Sequence, residues 1–190
     1  RLLNKFDFDD ICVSLKSSSV PITMKAYQLM SRESDYPLHI GVTEAGTVRM
    51  GTLKSAVGIG GLLALGVGDT MRVSLSADPV EEVYAARDIL KAAGIRKDGA
   101  ELVSCPTCGR TRIDLISLAN EVEQRLKTVD KPITVAVMGC VVNGPGEASA
   151  ADCGIAGGVG EGLLFKKGQI IKKVPQDQLV DELFRLIETL

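Results

Sequence analysis

The first half of the chain alternates short β-branched strands with helical stretches, and this alternation constrains the fold more than any other feature. The predicted strands are 11–15, 38–43 and 71–75, and the helices that follow them are 21–32, 51–65 and 78–93. Repeated strand–helix units of this length form right-handed βαβ crossovers and a parallel sheet. We therefore predict an α/β fold, with a first domain over residues 1–95.

A charged, glycine-flanked segment, Gly94–Gly99, separates this part from the rest of the chain. The second half is predicted to contain strands at 102–104 and 133–138, helices at 113–127 and 176–190, and a hairpin at 163–174 with Gly168 at its turn. We expect residues 100–190 to form a separate, small α/β domain.

Polar side chains stand near the carboxyl ends of all three predicted strands. Lys16 follows the first and Glu44 the second, while Arg72 and Ser74 share one face of the third, because residues two apart in a strand point the same way. Ligands of parallel α/β proteins collect at this edge, and lysine, arginine and serine suit a phosphorylated ligand. Any one of these residues could simply be solvated, but three strands in succession favour a ligand site.

Three cysteines and a glutamate in the second half form a candidate metal site. The pair Cys105-x-x-Cys108 can direct two sulfurs at one metal, and Cys140 in GCVVNGPGE supplies a third. The fourth ligand is either Glu147 or Cys153. With Cys153 the site would be a closed, structural zinc shell. The loop after Cys140 is rich in glycine and proline and brings backbone amides close to the sulfurs, which favours an iron–sulfur site.

Composition excludes several classes of function. The chain has 22 Lys and Arg against 24 Asp and Glu, so it has no net positive charge that would attract nucleic acid. The longest apolar stretch, 56–67, is broken by glycines and shorter than the roughly 20 residues that span a bilayer. An odd number of cysteines, five, favours a reducing compartment, so we expect a soluble cytoplasmic or plastid-type protein. Because Arg1 opens the sequence without a targeting pattern, we expect the chain to start inside a longer one.

The motifs SCPTCGR, VMGCVVNGPGE, VSLKSS, HIGVTEAG and MRVSLSADPVEE together resemble the C-terminal half of the 4-hydroxy-3-methylbut-2-enyl diphosphate synthase family. The resemblance runs from about Phe8 to the end. It implies an iron–sulfur oxidoreductase of non-mevalonate isoprenoid biosynthesis, the methylerythritol phosphate pathway. Such an enzyme reductively opens 2-C-methyl-D-erythritol 2,4-cyclodiphosphate, with loss of water, to 4-hydroxy-3-methylbut-2-enyl diphosphate. Its electrons come from ferredoxin or flavodoxin.

The resemblance also implies the ligands of the metal site. A [4Fe–4S] cluster would be held by Cys105, Cys108, Cys140 and Glu147, which leaves Cys153 out of the ligand set. Asn143 would lie beside the cluster in the substrate pocket and position a substrate oxygen.

The same resemblance gives roles to the polar strand ends. Lys16, Arg72 and Ser74 would bind the cyclodiphosphate, and Glu44 would donate a proton to the departing hydroxyl or orient the substrate. Two other reactive side chains are interpreted as structural, with His39 a core residue and Cys12 a small buried hydrophobe.

The family architecture implies a (β/α)8 barrel followed by a cluster domain, in a homodimer where one subunit's cluster domain caps the other's barrel. A whole barrel takes about 250 residues, so we expect this chain to hold its last three βα units and to lack the N-terminal part. Sheet edges would then be exposed, and the chain would be a fragment that needs a complement. The alternative functions are an iron–sulfur electron-transfer module that uses Cys153 and binds no phosphate, and a dehydratase that needs no reductant.

Overall fold

A computed structural model describes residues 2–190. Arg1, where we expect a longer chain to continue, lies outside the described residues. The chain divides into two compact units, one ending at Lys97 and the other running from Asp98 to Leu190. Both units combine helices with strands, so the predicted α/β class is confirmed. None of the helices in the described part of the chain has the length and apolar character needed to cross a membrane.

The first unit has a narrow parallel sheet with helices against one face. Its elements are a 3₁₀ turn at Leu3–Phe6, α1 at Val20–Glu33, β1 at His39–Gly41, α2 at Val48–Ser55, α3 at Gly61–Ala64, β2 at Thr70–Arg72 and α4 at Pro79–Ala92. β1 pairs with β2 in parallel. The core under the sheet is apolar, with Ile40, Val73, Leu62 and Ile89 buried against one another.

The first predicted strand is reduced to a single parallel bridge between Val13 and Leu38. A buried tyrosine explains why the ladder is interrupted there before the N–H of Thr43 donates to the Ser17 carbonyl at 3.2 Å. The N–H of Leu15 donates to the Tyr27 hydroxyl at 2.9 Å, and that hydroxyl donates to the carbonyl of His39 at 2.7 Å. The hydroxyl therefore stands where the next direct strand-to-strand hydrogen bond would form.

The middle helix is longer than predicted and widens in its centre. α2 passes into a π-helical turn at Ala56–Gly60 before α3 begins. A Cβ atom at Gly58 would lie 2.7 Å from Val42 Cγ2, so the glycine allows the helix to approach the sheet closely. α4 begins as predicted, because the Asp78 carboxylate accepts the N–H of Val80 at 2.9 Å and caps the helix.

The second unit is built on one five-stranded sheet in the order β3-β4-β5-β6-β7. The strands are β3 at Glu101–Ser104, β4 at Thr134–Met138, β5 at Cys153–Gly157, β6 at Glu161–Lys166 and β7 at Gln169–Pro175. The first three strands run parallel, and β6 and β7 complete the sheet as an antiparallel hairpin. The helices are α5 at Leu115–Leu126, the short α6 at Gly144–Glu147 and α7 at Leu179–Glu188.

The central strand, β5, is an element that the sequence does not predict. Its residues CGIAG are all buried, and two of the five are glycines, which disfavour strands by propensity. Packing explains why this strand contains glycine, since a Cβ atom at Gly154 would lie 2.5 Å from both the Ala136 carbonyl oxygen and Phe165 Cζ. Glycine is required here by the closeness of the neighbouring strands.

Candidate functional site

All four predicted metal ligands line one cavity of about 240 Å³ in the second unit. Cys105 follows β3 and Cys140 follows β4, and these strands are parallel neighbours with Ser104 opposite Val137. Their carboxyl ends therefore meet at one edge of the sheet. Glu147 reaches the same cavity from the end of α6.

Backbone and hydroxyl donors point at two of the sulfurs. The N–H of Gly139 donates to Cys105 Sγ at 3.2 Å, and the Thr111 hydroxyl donates to Cys108 Sγ at 3.9 Å. The pKa of the Cys108 thiol is lowered, first by the backbone N–H of Arg110 and then by the Thr111 hydroxyl. Donors of this kind stabilise thiolates and tune iron–sulfur clusters. Thr111 and Gly139 are not among the predicted site residues, because nothing in the local sequence shows that their donors point at the sulfurs.

The carboxylate of Glu147 is held by an amide on the preceding turn. Asn143 Nδ2 donates to Glu147 Oε1 at 3.2 Å, and the N–H of Glu147 donates to the Asn143 carbonyl at 2.8 Å. A Cβ atom at Gly144 would lie 2.8 Å from Met138 Cβ, so a glycine is needed for the turn to fold back on β4. The loop motif thus places an amide beside a carboxylate inside a cavity lined by thiols.

The types of side chain around this cavity fit an iron–sulfur cluster. Thiolates are the usual ligands of such clusters, and other side chains can replace one or two of them. The cavity is lined by three thiols and one carboxylate. Among residues 2–190, no group of three or more His, Cys, Asp and Glu side chains is arranged to hold a metal ion.

Cys153 is not part of this cavity. Its side chain is buried in the apolar core, and burial is the main cause that raises its pKa to about 11. It lies opposite Val135 at the start of β5, whereas Cys140 follows the other end of β4. This placement counts against a four-sulfur shell that includes Cys153.

The first unit brings together the two cations predicted at its strand ends. Gly41 lies opposite Arg72 in the strand register. The Val13–Leu38 bridge, extended along the chain, places Lys16 on the other side of Gly41. The pKa of Lys16 is lowered, first by burial and then by the nearby charge of Arg72. Strand alternation puts Ser74 on the same face as Arg72.

Glu44 follows β1 and has a strained backbone conformation. Its φ of 52° is in the left-handed region, which residues other than glycine rarely adopt. Its side chain is exposed, while the next residue, Ala45, is buried. Strain of about 1–3 kcal/mol persists only where the surrounding structure holds it, and it is common at functional sites.

Comparison with known proteins identifies the family. The model of the GcpE TIM-barrel domain matches residues 1–87, and the model of the GcpE C-terminal domain matches residues 101–189. This chain belongs to the GcpE family. The resemblance inferred from the motifs is thereby confirmed.

The relatives of this GcpE chain carry an enzyme's name. This chain is similar to the 4-hydroxy-3-methylbut-2-en-1-yl diphosphate synthase (flavodoxin) of Clostridium acetobutylicum. The two are 62% identical over 190 residues, which are 100% of this chain and 54% of the relative. The proteins of that name from Clostridium perfringens and Geobacillus thermodenitrificans are 60% and 58% identical, again over 100% of the chain and over 54% and 51% of their own lengths. The chain spans about half the length of these relatives.

Two interpretations of the GcpE sequence are corrected by the structure. Cys12 is exposed and is not a buried hydrophobe. His39 is only half-buried, and its Nδ1 lies 2.9 Å from Thr70 Oγ1 on the polar face of the sheet. Both corrections have one cause, because helices cover only the face that carries Ile40 and Val73. Alternation then turns Cys12 and His39 to the other side.

Proposed function

We propose that this chain carries the cluster site and part of the substrate site of a [4Fe–4S] oxidoreductase. The enzyme opens 2-C-methyl-D-erythritol 2,4-cyclodiphosphate reductively and releases water and 4-hydroxy-3-methylbut-2-enyl diphosphate. The observation that carries the proposal is the cavity that Cys105, Cys108, Cys140 and Glu147 line together, with Asn143 bonded to the glutamate. The name shared by relatives about 60% identical supports the same reaction.

In this proposal the three thiolates and the carboxylate hold the cluster. When bound, it supplies electrons one at a time and an iron whose carboxylate ligand is harder and more exchangeable than a thiolate. Asn143 keeps the Glu147 carboxylate in place through its amide and positions a substrate oxygen. Gly139 and Thr111 donate hydrogen bonds to the sulfurs of Cys105 and Cys108, and the Thr111 hydroxyl favours the ionised form of Cys108.

The polar strand ends of the first unit bind the substrate. Lys16 and Arg72 carry adjacent positive charges, and with the Ser74 hydroxyl they hold the diphosphate by charge-assisted hydrogen bonds. The same charges stabilise the negative charge that develops on the leaving phosphate oxygen. Glu44 donates a proton to the departing hydroxyl oxygen, which leaves as water, or orients the substrate by a hydrogen bond.

The whole enzyme extends beyond what this chain holds. We infer that the first unit contributes the last three βα units of a (β/α)8 barrel, which its three parallel strand segments support. We take the active form to be a cytoplasmic homodimer, as the family resemblance implies. The electron donor is flavodoxin, the carrier that the relatives' name specifies, or a ferredoxin.

The substitution Glu147→Cys tests the proposal. The chain is purified without oxygen, loaded with iron and sulfide, and combined with the part of the Clostridium acetobutylicum synthase that it does not match. We expect absorption near 400 nm and turnover with reduced flavodoxin. Glu147→Cys should keep the absorption and lose turnover by about 100-fold or more, since a fourth thiolate removes the exchangeable ligand.

The matched control is Glu123→Cys on the exposed side of α5, which adds a thiol away from the cavity. It should retain full turnover. If Glu147→Cys kept the turnover of this control, the exchangeable carboxylate would not be needed and the proposed role of Glu147 would fail. If the unaltered chain showed the absorption and accepted electrons but gave no substrate turnover, the protein would be an electron carrier and the enzyme assignment would fail. Turnover without any reductant would instead identify a dehydratase.

A further inference from the structure

A residue without a side chain stands between the two cations of the first unit. Gly41 is buried in β1, directly opposite Arg72 in the neighbouring strand. On its other side lies Lys16, as the extended register of the Val13–Leu38 bridge requires. In the proposed function, Lys16 and Arg72 bind the diphosphate.

The space over Gly41 is filled by both neighbours. A Cβ atom built there would lie 3.1 Å from Lys16 Cε and 3.4 Å from Lys16 Cδ. It would also lie 2.7 Å from the carbonyl oxygen of Arg72. The alkyl stem of Lys16 therefore crosses β1 in the gap that the missing side chain leaves. A flexible lysine can move aside, but a strand carbonyl moves only with its strand.

We propose that Gly41 is a positioning residue, which sets the side chain of Lys16 across β1 and next to Arg72. With any larger residue at position 41, the lysine stem would leave the strand surface and the Arg72 strand would shift outward. The two positive charges would then stand farther apart than a bridging diphosphate requires. The functional meaning of this arrangement rests on the proposed function, whereas the arrangement itself does not.

The first measurement tests the arrangement without any ligand. In the unaltered chain, we expect nuclear Overhauser effects between the Gly41 α-protons and the δ- and ε-protons of Lys16. With ¹³Cε-labelled lysine, the Lys16 signal is identified by its loss in Lys16→Met. In Gly41→Ala its pKa should rise toward the ordinary lysine value, because the ammonium group moves away from Arg72 and into water.

The second measurement tests the consequence for binding, with inorganic pyrophosphate as the probe in titration calorimetry. We expect Gly41→Ala to bind pyrophosphate about tenfold more weakly than the unaltered chain. In a Lys16→Met background, the same substitution should weaken binding by about threefold at most, because only the shift of the Arg72 strand remains. The matched control is Gly60→Ala, where the nearest atom to the new Cβ is Ile89 Cγ2 at 3.7 Å.

Each result has a definite meaning. Missing Overhauser effects, or an unchanged pKa of Lys16 in Gly41→Ala, would overturn the inference. So would an equal loss of pyrophosphate affinity in both backgrounds, since Gly41 would then act on the strand alone. If Lys16 responds as expected but pyrophosphate is not bound even when the chain is combined with the unmatched part of the Clostridium acetobutylicum synthase, the positioning role stands and the phosphate site of the proposed function fails.

Discussion

At the scale of single residues, the pKa of His39 responds to the nearby positive charges of Lys16 and Arg72. His39 is the chain's one histidine, and its pKa is lowered, first by burial and then by the charges of Lys16 and Arg72. We expect its proton resonances to titrate below the ordinary value of about 6.5. Lys16→Met should raise the pKa of His39, because it removes one of the two positive charges. Lys54→Met on α2 is the control and should leave it unchanged.

The same shift has a consequence for stability. The folded state disfavours charged His39, so the unfolded state binds the proton more readily. The contribution of His39 to the free energy of unfolding is therefore complete above a pH of about 6.5. It is lost as the pH falls toward the lower pKa of His39 in the folded state. His39→Gln should flatten this part of the pH dependence of unfolding. An identical profile in the variant would show that His39 is solvated like a free imidazole.

A second prediction at this scale concerns the reactivity of the cysteines in the metal-free chain. Cys12 and Cys108 are exposed, whereas Cys153 is buried and its pKa is raised to about 11. Because the thiolate is the reactive form, iodoacetamide at pH 8 should modify the exposed pair and leave Cys153 intact. Peptide mass mapping before and after unfolding in urea measures this. Equal modification of all three in the folded chain would place Cys153 outside the core.

At the scale of secondary structure, the helices are the most predictable elements. Local signals such as Asp78 and Pro79 fix the start of α4, and Gly94 with φ of 70° follows its end. Strand contacts depend on residues far apart in the chain. The hydroxyl of Tyr27 that interrupts the first strand, and the N–H of Gly139 that reaches Cys105, have no local signature. The ligand types at the site were predictable because they lie in short motifs.

The Tyr27 hydroxyl should matter more than an ordinary surface hydroxyl. Tyr27 is fully buried, and its hydroxyl serves both the Leu15 N–H and the His39 carbonyl. Tyr27→Phe leaves these backbone groups unpaired, so we expect it to lower the free energy of unfolding by about 1–3 kcal/mol. Tyr84→Phe, where the tyrosine is exposed, is the matched control. Urea unfolding measures both, and equal values would mean that water replaces the lost hydroxyl.

The close strands around β5 give a prediction for the second unit. Gly154→Ala places a methyl group within 2.5 Å of the Ala136 carbonyl and Phe165, and such overpacking costs about 1–3 kcal/mol. We expect Gly154→Ala to lower the midpoint of urea unfolding of the segment 98–190, measured by circular dichroism. Gly109→Ala, with no other atom within 4 Å of its new Cβ, should be close to neutral. A neutral Gly154→Ala would mean that the sheet can widen.

At the scale of the whole molecule, the two units differ in how much apolar surface they expose. In the second unit, β3 to β7 share one sheet that has a buried apolar cluster on each face. Most of the large exposed apolar side chains lie in the first unit instead. Among them are Phe6, Phe8 and Val57, and the trio Val80, Val83 and Tyr84 on α4. The trio on α4 has the spacing i, i+3, i+4 and therefore forms one apolar patch, a feature that marks interfaces when it is part of a larger exposed surface.

We therefore expect the isolated chain to self-associate through its first unit. Light scattering after size-exclusion chromatography should give a mass above the 20.1 kDa of one chain, with strong binding of a hydrophobic dye. The segment 98–190 alone should self-associate less and bind less dye, because fewer of its large apolar side chains are exposed. Adding the unmatched part of the Clostridium acetobutylicum synthase should reduce the dye signal of the whole chain. A cooperative monomer with no dye binding would show that the first unit is complete by itself.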